Sequence, residues 1–322
     1  MTILITGGAG FIGSHLAQYL LSQDKQVVVL DDFSGAGEEN LKQIRESNNL
    51  SIIKGSILDQ ELVTKLMKEV THCYHLAAAL GVEKINNEPI TSFEINLKGS
   101  QIVLNAAANQ GAQTLHASSS EVYGKNLTMP LNEESDRVLG SPQIARWSYS
   151  EAKAMDELHA FELYKHKSFP VSMARFFNTV GPCQSGSYGM VLPRFVKAAI
   201  SNQPLTVYGD GTQSRTFCSV TDVVDALVLL MDSKESIGQA FNIGSTNEIT
   251  ITELAQKVIS LTNSTSEIVY KKHTEVFGDH FEEPQRRVPD ISKIKMAVGW
   301  QPKTSLDEVI VEIAEYLKAN DT

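Results

Sequence analysis

The chain has 322 residues, 42% hydrophobic and 20% charged, enough to bury a sizeable core in one large domain or two unequal ones. Lysine and arginine total 28 against 38 acidic residues, a net charge of −10, which argues against nucleic acid or a membrane surface as partner, because both attract basic patches. Three cysteines, Cys73, Cys183 and Cys218, stand far apart; they offer no disulfide framework and no metal-binding CxxC spacing, and they suit a reducing cytosol.

The opening MTILITGG reads as a strand running into a turn rather than a signal peptide. No window reaches the roughly 18 uncharged apolar residues of a membrane span. A cytoplasmic protein with no bound metal is the expectation. Further along, 3–6, 26–30, 51–54, 71–76 and 114–118 read as strands, while 11–22 and 60–70 carry apolar residues at helical spacing. A helix over 150–165 and a strand over 171–176 continue the alternation. Strand and helix alternating at this rhythm predict βαβ units and a parallel sheet. After about residue 179 the texture changes: glycine and proline cluster in GPCQSGSYG and YGDGTQS. Helices are expected over 191–201, 220–231 and 251–261, the last with a Thr cap and a Glu nearby in ITELAQ, and a short strand over 241–244. The resulting expectation is a Rossmann-type, doubly wound α/β fold. Residues 1–178 form the dinucleotide-binding domain, with later segments crossing back, and 179–322 form a smaller C-terminal α/β lobe for the substrate.

The clearest local signal is Ile3-Leu4-Ile5-Thr6-Gly7-Gly8-Ala9-Gly10-Phe11-Ile12-Gly13. Gly7 allows the tight turn, Gly10 lets the backbone approach a pyrophosphate, and Gly13 permits close helix-strand packing. The helix N-terminus adds free N–H groups and partial positive charge. The spacing is GxxGxxG rather than GxGxxG, but the strand before it and the helix after it are those the motif needs. The second strand ends at Asp31 and Asp32. A carboxylate there accepts from ribose hydroxyls and repels a 2′-phosphate, so NAD is favoured over NADP; the plain alternative is two acids solvating a strand end. Tyr149 and Lys153 stand four apart in a helical stretch and share a face. A tyrosine hydroxyl is a poor base at neutral pH, with an ordinary pKa near ~10, and a neighbouring ammonium lowers that value. Alone, this spacing is common surface decoration; after a dinucleotide fingerprint it is specific.

Taken together, TGGAGFIGSH, HLAA at 75–78, Asn96, SSSEVYG, YSEAK, ARFFNTVGP, LTVYGDGTQSRTFCSVTDVVDAL and RRVPDISKIKMAVGWQP resemble the extended short-chain dehydrogenases/reductases, in particular their nucleotide-sugar epimerases, dehydratases and decarboxylases. The resemblance covers essentially the whole chain. It implies bound NAD, held by Gly7, Gly10, Phe11, Ile12, Gly13, Asp31, Asp32, Ser56, Ile57, Ala77, Asn96 and Lys153. Where the family often has Asp after the third strand, this chain has Ser56. The catalytic set implied is Ser119, Ser120, Glu121, Tyr149 as base and Lys153 as the residue that lowers its pKa. Asn178, Val191, Tyr208, Arg215 and Arg287 are the implied contacts to a nucleotide-linked sugar, with UDP as the expected nucleotide. A homodimer through the helix of Tyr149 and Lys153 is also implied, with Met155, Leu158 and Leu163 compatible with an exposed apolar face or with core packing.

The shared opening step is hydride transfer from sugar C4 to NAD. The 4-keto sugar then has three fates: hydride return to the other face, 4,6-elimination of water, or loss of a C6 carboxylate. Typical dehydratases have an Asp-Glu pair where this chain has Ser120-Glu121, and Ser119-Ser120-Glu121 is one substitution from the Thr-Ser-Glu of UDP-glucuronate decarboxylases. RWSYSEAKAMDE and FFNTVGPCQSGSYGMVLPRFV look most like UDP-glucose 4-epimerase-like sequences. The sequence therefore favours a UDP-sugar 4-epimerase, with UDP-glucuronate decarboxylase or 4,6-dehydratase as alternatives; Glu121 alternatively only orders its loop. Outside this class, an NAD(H)-sensing regulator of the same fold or a free alcohol dehydrogenase remains open.

Overall fold

The computed structural model describes residues 2–35, 37–79, 88–186, 190–272, 275, 282 and 284–320. The apolar runs near the N-terminus form β1 (Thr2–Thr6) and, after α1 (Phe11–Ser22), β2 (Gln26–Asp31). β3 (Leu50–Lys54), α2 (Gln60–Met67) and β4 (Val70–His75) follow. α2 is shorter than its apolar spacing predicts. Asp59 caps it by accepting from the Leu62 N–H, and Val70, expected as its last residue, instead begins β4. A short helix, α3 (Pro89–Phe93), passes through a π-turn over Glu94–Gly99 into α4 (Ser100–Gln110). Then come β5 (Gln113–Ser119), a 3-10 turn over Ser120–Tyr123, α5 (Trp147–Lys167) and β6 (Val171–Phe176).

The remaining chain supplies β7 (Thr179–Val180), α6 (Val191–Ile200), β8 (Leu205–Tyr208), β9 (Ser214–Thr216), β10 (Cys218–Ser219) and α7 (Val220–Asp232). After these come β11 (Ala240–Ile243), β12 (Glu248–Thr250), α8 (Ile251–Thr262), β13 (Ile268–Lys271), α9 (Ser292–Val298) and α10 (Leu306–Asn320). α8 begins with a full capping box: Thr250 accepts from Glu253 N–H, and the Glu253 side chain returns to Thr250 N–H. The cap is thus Thr250, just before the ITELAQ segment. Residues 187–189 of the glycine-rich stretch lie outside the described residues.

Seven parallel strands make the central sheet in the order β11-β6-β5-β4-β1-β2-β3. β1 pairs with β2 on one side and β4 on the other, so the winding direction reverses there, and ligands of such sheets bind in the crevice beyond the strand ends at that reversal. Side chains alternate between the two faces, as a strand requires. Ile3, Ile5, Val27 and Val29 join one core with α1 and α7, whereas Leu4 and Leu30 join the other with α2, α4 and α5. Each such side chain contributes roughly 1.5–3 kcal/mol on full burial. A third core unites α6, β8, α8 and α10 through Leu192, Phe195, Leu205, Val207, Leu254, Val258 and Ile310. Small two-stranded pairings, β10 with β7, β12 with β9 and β13 with β8, tie this part together. Of the apolar residues of α5, Met155 and Leu158 are exposed, but Leu163 is buried in the sheet core and belongs to no outer face. No helix among the described residues is long and apolar enough to cross a membrane.

Candidate active site

At the carboxyl end of β1 the backbone turns at Gly7, whose φ is +71° and whose Cβ, if present, would lie 2.7 Å from the Ala77 Cα. A Cβ on Gly13 would strike the Gly7 carbonyl oxygen. Only glycine fits either place. Gly10 caps α1 with extended backbone, no side-chain bond and no acid in the first turn, which leaves the N–H groups of Phe11, Ile12 and Gly13 to an anion. Asp31 faces this turn: its carboxylate accepts from the Ala9 N–H at 3.0 Å and the Phe33 N–H at 2.8 Å. Burial raises the pKa of Asp31, the two N–H bonds pull it down, and neighbouring Asp32 pushes it up again. Each oxygen keeps a lone pair for a ribose hydroxyl. Asp32 is exposed and accepts from the Ser34 N–H. This cradle fits a dinucleotide, because its backbone leaves no room for side chains where a pyrophosphate would pass.

The neighbouring positions are placed around it. The Ser56 hydroxyl accepts from the Leu58 N–H, and Ile57 is packed against Gly99. The Ala77 N–H donates to Thr6 Oγ1. Asn96 is buried and holds the next turn of chain with both ends of its amide, accepting from the Ala79 N–H at 2.8 Å and donating to the Ala79 carbonyl at 3.0 Å.

At the end of β5, Ser119 accepts from the Glu121 N–H at 3.2 Å and thereby starts the 3-10 turn. Its hydroxyl also lies beside Tyr149, where it favours the phenolate. Burial raises the phenol pKa of Tyr149 above its ordinary value, Glu121 and Asp156 raise it further, and the Ser119 bond lowers it. Lys153, one turn along α5, is 1% exposed. Its ammonium donates to the Ala117 carbonyl at 2.9 Å and lies 3.7 Å from Asp156 Oδ2. Lys153 thus donates to a carbonyl and lies beside a carboxylate, the surroundings a buried cation requires. The phenol is held high by burial and by two carboxylates.

Ser120 is buried beside Glu121. Glu121 Oε1 is 2.6 Å from Arg287 Nη1 and 3.6 Å from Arg146. Burial alone would raise the Glu121 pKa, but Arg287, then Arg146 and Arg215, bring it down to about 2. The result is a carboxylate that stays ionised throughout the neutral range.

Three comparisons bear on this arrangement. The profile of the family described as GDP-mannose 4,6 dehydratase matches residues 4–313. The chain belongs to that family. Within this branch of the extended short-chain dehydrogenases/reductases, it is 38% identical over 316 residues to a UDP-N-acetyl-alpha-D-glucosaminuronate decarboxylase of Bacillus cytotoxicus, covering 98% of this chain and 97% of that protein. It is 36% identical over 309 residues to UDP-glucuronic acid decarboxylase 3 of Arabidopsis thaliana, covering 96% and 86%. Among solved structures, the UDP-glucuronic acid 4-epimerase of Bacillus cereus, in complex with UDP-glucuronic acid and NAD, superposes with a TM-score of 0.89 at 27% identity over 99% of both chains. The family is one of NAD-dependent nucleotide-sugar epimerases, dehydratases and decarboxylases, and its seven-stranded parallel sheet is the one seen here.

The other residues implied by the family resemblance lie on the second half of the chain. Arg215 is buried on β9 and donates to the carbonyls of Ser214 and Gln285. Asn178, between β6 and β7, donates its amide to the Thr216 carbonyl. Val191 opens α6, and Tyr208 stacks its ring on Arg194 at 4.3 Å. Arg215, Arg287 and Glu121 therefore form one cluster by Tyr149, while Tyr208 pairs with Arg194 of α6, the helix that Val191 opens. Two residues of the cluster's surroundings were not foreseen. Arg146 stands three residues before Tyr149, and in an acidic chain a cation one turn from a candidate base is a readable signal. Asp156 stands three residues beyond Lys153, but an acid on a helix ordinarily reads as a solvated face.

Proposed function

We propose that this protein decarboxylates a UDP-linked hexuronate through a 4-keto intermediate, with NAD bound and regenerated in place. The observation that carries this reading is the state of Glu121, clamped by Arg287 and Arg146 beside Tyr149. A 4,6-elimination needs one group to protonate the leaving hydroxyl and another to remove C5–H. Ser120 is no acid, and a carboxylate with a pKa near 2 is neither a useful acid nor a strong base at neutral pH. Loss of CO₂ from a 4-keto-hexuronate needs neither, only an electron sink at the C4 oxygen. A cluster of arginines also suits a substrate that carries a sugar carboxylate besides its diphosphate. The relatives named as UDP-hexuronate decarboxylases support the same reading, so the sequence-based preference for a 4-epimerase gives way to its alternative.

Residues 7–13 and Asp31 would hold NAD, which when bound would supply a hydride acceptor for C4 and the hydride that restores it. The positive charge of a bound oxidised nicotinamide would favour the Tyr149 phenolate, whose Oη then removes the C4 hydroxyl proton, and the Ser119 hydroxyl beside it steadies the C4 oxygen. As CO₂ leaves, negative charge gathers on the C4 oxygen, where Tyr149 and Ser119 donate hydrogen bonds. Arg287 and Arg215 orient the anionic end of the substrate, and C5 takes up a proton in place of the lost carbon.

The test is to supply UDP-glucuronate, UDP-N-acetylglucosaminuronate and UDP-glucose separately, follow CO₂ release, and resolve the products by NMR. A uronate should yield CO₂ and the UDP-pentose. Interconversion of UDP-glucose with its 4-epimer, and no CO₂ from either uronate, would overturn the proposal.

A further inference from the structure

Behind Lys153 the protein buries more charge than the chemistry above employs. Asp156, on the same helix, is 0% exposed, with Oδ2 lying 3.7 Å from Lys153 Nζ and 3.6 Å from His116 Nε2. His116, also 0% exposed, comes from β5 and packs at 5.1 Å against His75 of β4. His75 in turn bonds Thr6 and Ser100. Burial holds both imidazoles well below their ordinary pKa, so they are neutral at pH 7. The neighbouring acid, Glu157, is committed elsewhere: its two oxygens hold Arg175 of β6 at 2.9 and 2.6 Å, and Ser118 bonds it as well. Glu121 of the 3-10 turn is held by Arg287 and Arg146, Tyr123 bonds Asn242 and Arg175, His159 pairs with Asn105 of α4, and Glu94 and Lys98 of the π-turn are exposed. Asp156 is the acid paired with the Lys153 ammonium.

We propose that Asp156 is a positioning residue for the reaction: its carboxylate keeps Lys153 an ammonium, at its place on α5 one turn from Tyr149, with neutral His116 as the wall behind. It rests on Tyr149 and Lys153 as the base and its partner, and not on which sugar is turned over. At 3.6–3.7 Å the contacts are longer than hydrogen bonds, so the coupling is one of charge, and an opposite charge at this range moves a pKa by about 1–3 pH units. Burial lowers the Lys153 pKa and Asp156 opposes that most strongly, followed by Glu157. Asp156 itself is pushed up to about 6 by burial, with Lys153 and then His75 pulling it back toward its ionised form.

Because Asp156 raises the pKa of both Lys153 and Tyr149, removing its charge lowers both. In the holoenzyme, Asp156→Asn should move both limbs of the kcat/KM–pH profile to lower pH, the alkaline limb by about one pH unit or more. In the cofactor-free protein labelled with ¹⁵N-lysine, and assigned by difference from Lys153→Met, the Lys153 inflection should fall by a similar amount. An unmoved inflection and unmoved limbs would overturn the proposal and leave Asp156 a buried polar plug. If no UDP-sugar is turned over, the decarboxylase reading fails while the lysine titration still decides this one. If Asp156→Asn does not fold, the unaltered protein answers through the ¹³C signal of the Asp156 carboxyl. A second inflection at the pH where Lys153 titrates is expected, and a silent signal there overturns the idea.

Discussion

The two ends of the catalytic crevice are built by different means. At the cofactor end the site is backbone: a left-handed glycine, a helix start without a capping side chain, and Asp31 accepting from two N–H groups. At the sugar end it is side chains from four distant parts of the chain: Ser119 at the end of β5 with Glu121 just after it, Arg146 and Tyr149 at the start of α5, Arg215 on β9, and Arg287. The two acids carry this contrast in opposite pKa directions. Burial pushes Asp31 up, while the arginines hold Glu121 down at about 2. A backbone site is written in consecutive residues; a side-chain site exists only once the chain has folded.

The strongest way to test that contrast is at the shared point, the phenol. Tyr149→Phe removes the proton acceptor but touches neither the glycine turn nor the arginines. Turnover should fall by about 10²–10⁴-fold, with NAD still bound when the protein is purified, as read by its absorbance after denaturation. Near-normal turnover would remove Tyr149 from the base role. Next in size is Gly13→Ala, which pushes a methyl into the Gly7 carbonyl oxygen. Overpacking of this kind costs about 1–3 kcal/mol, so NAD affinity should weaken by about tenfold or more, while the affinity for UDP, measured calorimetrically, stays put. If both affinities fell together, the two ends would not be separable.

How much of this was legible beforehand follows from the same contrast. Strand and helix alternation placed the sheet and its flanking helices, because apolar period and glycine position are local properties; α1 and β6 have the bounds their patterns predict. α2 ran short because its final apolar residue, Val70, serves the next strand, and Leu163 was open between surface and core until the sheet lay against it. The glycines and Asp31 were readable from spacing alone. Tyr149 and Lys153 were readable as a pair from their helical spacing, whereas Glu121 and Arg287 were named only through resemblance, and nothing in their spacing says that Glu121 meets a residue 166 positions away. Arg146 and Asp156 went unnoticed for the same reason: a charge declares its role only through its partner.

Arg287→Ala should have a smaller effect than the loss of the phenol. It removes a charged hydrogen bond worth about 1.5–3 kcal/mol, so KM for the UDP-sugar should rise by around tenfold or more, and an unchanged KM would exclude Arg287 from the site. With its strongest partner gone, the Glu121 carboxyl should climb back toward the ordinary carboxylate range, visible in a ¹³C titration. Under the decarboxylation reading the same loss of charge neutralisation should weaken uronate binding more than binding of UDP alone.

The smallest effect is on stability, and its sign separates the two carboxylates. Glu121 has a folded pKa of about 2 against an ordinary 4.5. Its stabilising contribution is therefore complete above about pH 4.5 and is lost as the pH falls toward 2. Asp31 runs the other way: its raised folded pKa means that its ionised form is penalised in the fold, and acidification relieves that penalty. Whole-protein acid unfolding mixes the two, but Glu121→Gln isolates one. Urea unfolding at pH 6 and again near pH 3 should show the unaltered protein losing more stability on acidification than the variant, because only the unaltered protein has a pinned charge to surrender. An equal loss in both would mean that the arginines do not hold Glu121 ionised. The sugar end would then lose the charged clamp that sets it apart from the cofactor end.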